Sequence, residues 1–264
     1  AVLVGPLVYR VPIDEIDFKA KLKSPTMAHP LGTDDLGQDV LARMLYGGRI
    51  SLAVGLAAML IAVVVGVIIG AIAGMSRGSV DAALMWVTDL FLSLPELPLL
   101  LLIIYLFRDS LKAVFGVEGG IFIMIVIVIG GLRWMPAARL VRGQFLSLRE
   151  KEFVEAAKAS GAGDARIIIR HMLPNAVGPI IVSATLIVAA AILTEAALSF
   201  LGFGIQPPTP ALGKLIADGQ SEMLTAWWLV TFPGLTIVAI VLCVNFIGDG
   251  LRDALDPTQR RIRA

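Results

Sequence analysis

The sequence predicts an all-α protein that crosses a membrane six times, and three observations carry that prediction. Of 264 residues, 57% are apolar and the mean hydropathy is +0.85, above the roughly 45–50% apolar content of soluble domains. Several apolar runs reach the ~20 residues that a helix needs to cross a ~30 Å hydrocarbon core, and five spans follow from them. A shorter apolar run, AVLVGPLV from Ala1 to Val8, opens the chain. It is too short for a signal peptide and has no basic flank before it, so it reads as the end of a first span, over residues 1–9, that begins before Ala1.

Taken in order, Ile50 to Ser76 is the cleanest span, with no charge between Arg49 and Arg77. Leu84 to Phe107 follows, interrupted by Asp89 and Glu96 and expected to bend at Pro95 and Pro98. Ile121 to about Pro136 is the third complete span and must borrow from Leu132 to Ala138 to be long enough. Met172 to Leu201 and Trp227 to Gly248 supply the last two, the latter with Trp227 and Trp228 as an interfacial anchor. Within Ile50 to Ser76, Gly66, Gly70 and Gly74 recur at i+4, a small-residue stripe suited to close helix packing.

Basic residues near span ends mark the cytoplasmic side. They concentrate between Arg133 and His171, at Arg133, Arg139, Arg142, Arg149, Lys151, Lys158, Arg166 and Arg170. The tail carries Arg252, Arg260, Arg261 and Arg263, two crossings later and hence on the same side, whereas Gly204 to Ala226 holds only Lys214 and belongs outside. Residues 10–49 are then extracytoplasmic, although they hold six basic residues. Here Asp35 with Gln38 resembles a capping box. Leu36, Val40, Leu41, Met44 and Leu45 share one helical face, with Asp39 and Arg43 turned away. An interfacial amphipathic helix is expected, with a bend at Gly47-Gly48 into the following span.

Composition excludes several functions. A net charge of +1 gives no field for nucleic acid. The single Cys243 lies in an apolar run and offers no internal disulfide. No phosphate-cradling G-x-x-x-x-G-K-[S/T] loop or H-E-x-x-H site is present, and His29 and His171 fall on opposite sides of the membrane, so neither a catalytic nor a metal site is expected.

The most informative stretch is FVEAAKASGAGDARIIIRHMLPNA, Phe153 to Ala176, in the basic loop. Phe153, Ala156, Ala157 and Ser160 align at i, i+3, i+4 and i+7, with Glu152, Glu155 and Lys158 on the remaining surface, and Gly161 stops the helix. A small-residue face with one aromatic knob fits a cleft on another protein, and a solvated connecting helix has the same pattern.

Glu155-Ala156-Ala157, then Gly161, then Leu173-Pro174 resembles the EAA loop of permease subunits of binding-protein-dependent ABC importers. The general pattern has an aliphatic residue where this chain has His171, but His-x-Leu-Pro-Asn at 171–175 is similar to the peptide and nickel branch. Four further stretches resemble the same branch: HPLGTDDLGQDVLARMLYGGRISL from His29, AARLVRGQFLSLREKEFVEAA from Ala137, TEAALSFLGFGIQPPTPALG from Thr194 and NFIGDGLRDALDP from Asn245. The last resembles the tail of the second permease of a pair.

The resemblance implies a type I ABC importer transmembrane domain in the prokaryotic cytoplasmic membrane, spanning residues 50–264 and containing the coupling loop 143–176. It implies that Phe153, Glu155, Ala156, Ala157, Gly161 and Pro174 couple the chain to two cytoplasmic ATPase subunits. Those subunits, and not this chain, would bind ATP and Mg. It further implies a homologous second permease, an extracytoplasmic substrate-binding protein, and a cargo of di- or oligopeptides or of nickel or another metal chelate.

Ionisable residues inside apolar runs usually face a bundle interior or a watery pathway. Glu195 and Glu96 are the candidate pathway residues, with Asp89 nearer the surface. The same three acids leave open an ion-driven secondary transporter. The outer gate falls either to Gln206-Pro207-Pro208 or to the helix from Asp35 to Tyr46.

Overall fold

The structure is a computed structural model that describes residues 2–76 and 78–255; Arg77 and the tail residues Arg260, Arg261 and Arg263 lie outside the described residues. Among the described residues the regular elements are helical, with one isolated bridge between Thr33 and Asp39. They run α1 (Gly5–Val8), α2 (Val40–Met75), α3 (Ser79–Ser93), α4 (Glu96–Phe115), α5 (Val117–Gly131), α6 (Trp134–Leu148), α7 (Glu152–Ala159), α8 (Asp164–Ile167), α9 (Leu173–Phe200), α10 (Leu212–Gly219) and α11 (Trp228–Leu255).

Among the described residues, four helical stretches are long and apolar enough to cross a membrane: Val40–Met75, Gly119–Leu148, Asp164–Phe200 and Trp228–Ala254. The pair α3 and α4 makes a fifth crossing if taken as one span, bent by 88° where Pro95 breaks the helix. Over residues 1–9, where the end of a first span is expected, the structure has the four-residue helix α1.

The expected bend at Gly47-Gly48 is not there. α2 runs unbroken for 36 residues, about 54 Å at 1.5 Å per residue. It starts at Val40 because Asp39 takes the N-cap role, its Oδ1 accepting the Ala42 N–H at 2.9 Å. Asp34 rather than Asp35 closes the preceding turn, accepting the N–H groups of Leu36 and Gln38 at 3.0 and 2.8 Å. Asp39 and Arg43, expected to point away from the packed face, are both buried because both are partnered. Arg43 donates to the Gln38 side chain and to the Ile13 carbonyl. The glycine pair serves close packing: a Cβ on Gly47 would lie 3.3 Å from both the Pro210 carbonyl oxygen and the Leu212 amide.

The chain divides into two compact units, one of Ala1–Ala57, Leu100–Ile129 and Ala189–Cys243, the other of Ala58–Leu99, Gly130–Val188 and Val244–Ala264. In the first, Asp39 is a node. Its Oδ2 accepts from the Tyr9 hydroxyl at 2.8 Å and meets His29 Nδ1 at 2.9 Å. Trp228 Nε1, expected at an interface, instead donates to the Thr33 carbonyl at 3.2 Å and is buried.

The second unit is organised by the glycine stripe. A Cβ on Gly66 would fall 2.8 Å from the Trp134 carbonyl oxygen, one on Gly70 2.5 Å from that of Ala138, and one on Gly74 2.5 Å from Phe145 Cβ. The α2 and α6 backbones therefore touch, as small-residue helix pairs in membranes do. Around this seam, α6 reaches three acids in reverse chain order. Arg142 binds Asp81 with two bonds of 2.5 and 2.7 Å, Arg139 binds Asp89, and Arg133 lies 2.8 Å from Glu96.

Gly70→Ala should destabilise the protein by about 1–3 kcal/mol, because the backbone it would strike has no rotamer to yield. Gly143→Ala, in open space on α6, should be neutral or stabilising by up to about 1 kcal/mol. Thermal unfolding in detergent measures both, and equal melting temperatures would contradict the backbone seam.

Candidate functional site

The loop between α6 and α9 folds into a short helix held on a packed base. α7 carries Glu152 and Glu155 in its first turn and Lys158 in its last, the order that suits the helix dipole. It ends in a Schellman motif: the Ala162 N–H bonds the Ala157 carbonyl at 3.0 Å and the Gly161 N–H that of Lys158 at 2.9 Å. Gly161 takes φ +79°, a conformation that glycine adopts without a Cβ penalty.

Burial splits the residues that the sequence pattern grouped together. Val154 is fully buried and joins Ala71, Val141, Phe145, Ile167, Met172 and Ala176 in one cluster, with Ala157 and Ala162 packed against it. Ala157 therefore faces inward and drops out of the outward face. That face carries Phe153, 40% exposed, with Ala156 and Ser160 exposed at i+3 and i+7, while Glu155 lies exposed on the flank. The inward anchors Val154, Ile167 and Met172 escaped the sequence reading; the i, i+3 pair of Val154 and Ala157 carries the signal.

α8 continues through a π-type turn, Ile168–Met172, into α9. His171 sits in that turn, and its carbonyl accepts the Asn175 Nδ2 at 2.6 Å. Arg149 Nη1 donates to the Gly74 carbonyl at 3.3 Å, at the last turn of α2. Pro174 lies at the start of α9. It lines a groove of about 750 Å³ together with Pro136, Asn175, Pro179, Ser183 and Arg252.

The candidate pathway acids are both occupied. Glu195 has 0% exposure and accepts the hydroxyls of Ser51 at 2.6 Å and Ser199 at 2.7 Å. Ser199 Oγ in turn accepts the Ile205 N–H at 3.3 Å. Full burial removes Glu195 from any accessible wall in this conformation. It acts as a clamp joining α2, α9 and the loop that follows α9. A sequence reading has no route to Ser51, 144 positions away. Glu96 is paired with Arg133 and its side chain is 39% exposed. The two candidates for an outer gate meet, since Tyr46 and Gln206, Pro207 and Pro208 line one cavity of about 480 Å³.

Comparison with known proteins turns this geometry into a family. Residues 66–261 match the model of the binding-protein-dependent transport system inner membrane component. The chain is 43% identical over 250 residues to the oligopeptide transport system permease protein OppC of Mycobacterium tuberculosis, covering 95% of this chain and 83% of that protein. It is 42% identical over 261 residues to OppC of Escherichia coli K12, covering 98% and 83%. It is also 41% identical over 258 residues to the dipeptide transport system permease protein DppC of Alkalihalophilus pseudofirmus, covering 98% and 81%. In fold it matches inward-facing structures of the MetNI methionine ABC transporter. One has a TM-score of 0.60 at 18% identity, covering 81% of this chain and 96% of that one; a second has a TM-score of 0.62 at 17% identity. The chain is a multi-pass membrane protein with the fold of a type I ABC importer transmembrane domain, and it belongs to the family of inner membrane components of binding-protein-dependent transport systems.

Proposed function

We propose that this chain is one permease subunit of an ATP-driven importer of di- or oligopeptides in the prokaryotic cytoplasmic membrane. It pairs with a homologous permease, each supplying half of the pathway. Two cytoplasmic ATPase subunits bind ATP and Mg, and an extracytoplasmic binding protein delivers cargo. The chain itself is not catalytic. The peptide cargo is supported by relatives that are named oligopeptide and dipeptide permeases.

The observation that carries the coupling role is the two-sided geometry of α7. Val154 roots the helix in the core while Phe153 and Ala156 stay exposed on the opposite side. A rooted helix with an aromatic knob suits a cleft on an ATPase subunit, because small residues allow close approach and the ring fills a pocket. Nucleotide state biases the spans only through contacts that differ between two conformations. In this reading those contacts fall on Phe153, Ala156 and Ser160, with Glu155 at the rim. Ala157 and Gly161 set the shape of the helix, and Pro174 acts away from it.

This assignment orients the chain. Residues 143–176 are then cytoplasmic and residues 10–49 extracytoplasmic. Glu96 remains a candidate for the pathway wall because its side chain is partly exposed. Pairing of Asp89 and Glu96 with arginines, and of Glu195 with two hydroxyls, weighs against these acids as ion carriers, since a carrier carboxylate must be vacated in every cycle.

Two measurements on the complete importer in proteoliposomes test the reading. Uptake of a tripeptide should require ATP on the ATPase side and persist when a protonophore collapses the proton gradient; uptake that follows the gradient and ignores ATP would contradict it. Phe153→Asp should lower uptake by about tenfold or more with little change in thermal stability, whereas Val154→Asp, which buries a charge, should lower the melting temperature itself. Normal uptake in Phe153→Asp would remove the docking contact from this face.

A further inference from the structure

The groove beside α9 has a polar track that the docking role of α7 does not use. Its walls come from α6 through Pro136 and Leu140, from α9 through Asn175, Pro179, Ser183 and Leu186, and from α11 through Arg252. At about 750 Å³ it falls within the 300–1,000 Å³ range of small-molecule sites. Most of its lining is apolar, with polar groups at a few defined points.

Those points have a regular spacing. Asn175, Pro179 and Ser183 recur at i+4, which places them on one stripe of α9, and the two polar ends are separated by about 12 Å at 1.5 Å rise per residue. Pro179 lies inside the helix and has no N–H to offer the carbonyl four residues back, which is that of Asn175. The stripe thus combines the Asn175 main-chain carbonyl, the Oδ1 of the Asn175 side chain, whose Nδ2 already donates to the His171 carbonyl, and the Ser183 hydroxyl. Arg252 adds a fixed positive charge to the wall.

An extended main chain rises about 3.3 Å per residue, so the 12 Å track matches three to four residues. A peptide passing through a membrane must keep its N–H and C=O groups hydrogen-bonded. Two carbonyl oxygens and a hydroxyl along an apolar trough can accept the N–H groups of such a chain for any side-chain sequence, because they address only the main chain. The guanidinium complements the one anionic group that every free peptide carries, its terminal carboxylate. A lipid acyl chain would leave Asn175 Oδ1 and the Ser183 hydroxyl without partners over the same length.

Resting on the importer reading above, we infer that this groove is a subsite for the cargo main chain, with Arg252 receiving the terminal carboxylate and α9 pairing with the last three or four residues. The subsite recognises a short free-acid peptide by its backbone and its end.

The test uses the complete importer in proteoliposomes and trialanine as the probe. Arg252→Gln should lower trialanine uptake by about tenfold while binding-protein affinity and thermal stability stay as in the parent, and Arg252→Lys should restore part of the rate. In a Cys243→Ser background, which removes the only cysteine, Ser183→Cys should react with a membrane-impermeant thiol reagent, and trialanine with ATP should slow that reaction. Parent vesicles that take up no trialanine with ATP would overturn the importer reading itself. If the parent transports, unaltered uptake by Arg252→Gln would overturn the subsite alone. So would labelling of Ser183→Cys that follows the phosphatidylglycerol content of the vesicles and ignores trialanine, the outcome for a lipid groove.

Discussion

Direct contact between the backbones of α2 and α6 is the constraint on which the second unit depends. At Gly66, Gly70 and Gly74 a single added carbon would lie within 2.8 Å of α6. That approach fixes the register of α6, and with it the three arginines that reach Asp81, Asp89 and Glu96. It also sets Phe145 and Val141 beside Ala71, making the pocket that Val154 fills. Hydrophobic driving force between helices is weak in lipid, so close packing of this kind carries more of the association than it does in water.

Charge inside the apolar segments follows a consistent rule. Asp89 and Glu96 face arginines of the same unit, and Glu195 is satisfied by two serines. Unpartnered carboxylates in such surroundings would be costly. Pairing therefore accounts for their presence without giving them a part in moving ions. Glu195 in particular ties α2, at Ser51, to the end of α9 and, through Ser199, to the turn at Ile205.

Sequence periodicity and hydropathy made the helical architecture legible because both depend on local composition. The five complete spans, the break at Pro95 and the small-residue role of Gly66, Gly70 and Gly74 all depend on residues near one another in the chain. Helix ends were harder. Gly47-Gly48 reads as a bend, yet the pair sits inside an unbroken helix because close packing, and not chain reversal, uses its missing side chains. Partners distant in sequence were not legible at all: neither the serines on Glu195 nor Tyr9 and His29 on Asp39 follow from a local pattern. α7 lies between these cases: its existence, its stop at Gly161 and its outward Phe153 followed from the pattern. Which of Ala156 and Ala157 turned inward depended on the core beneath Val154.

Rigid attachment of α7 gives the proposed coupling its physical content. The helix is rooted at Val154, closed by the turn at Gly161 and continued through α8 into α9, so a displacement imposed on its outer face is passed to the spans rather than absorbed in the loop. The most direct test is a distance between spin labels on Ala156→Cys and Gly143→Cys, in a Cys243→Ser background, within the assembled importer. The account predicts the same narrow distance distribution without nucleotide and in an ATP-trapped state. A shift of several ångströms or a broad distribution in either state would contradict it, because α7 would then move on its own.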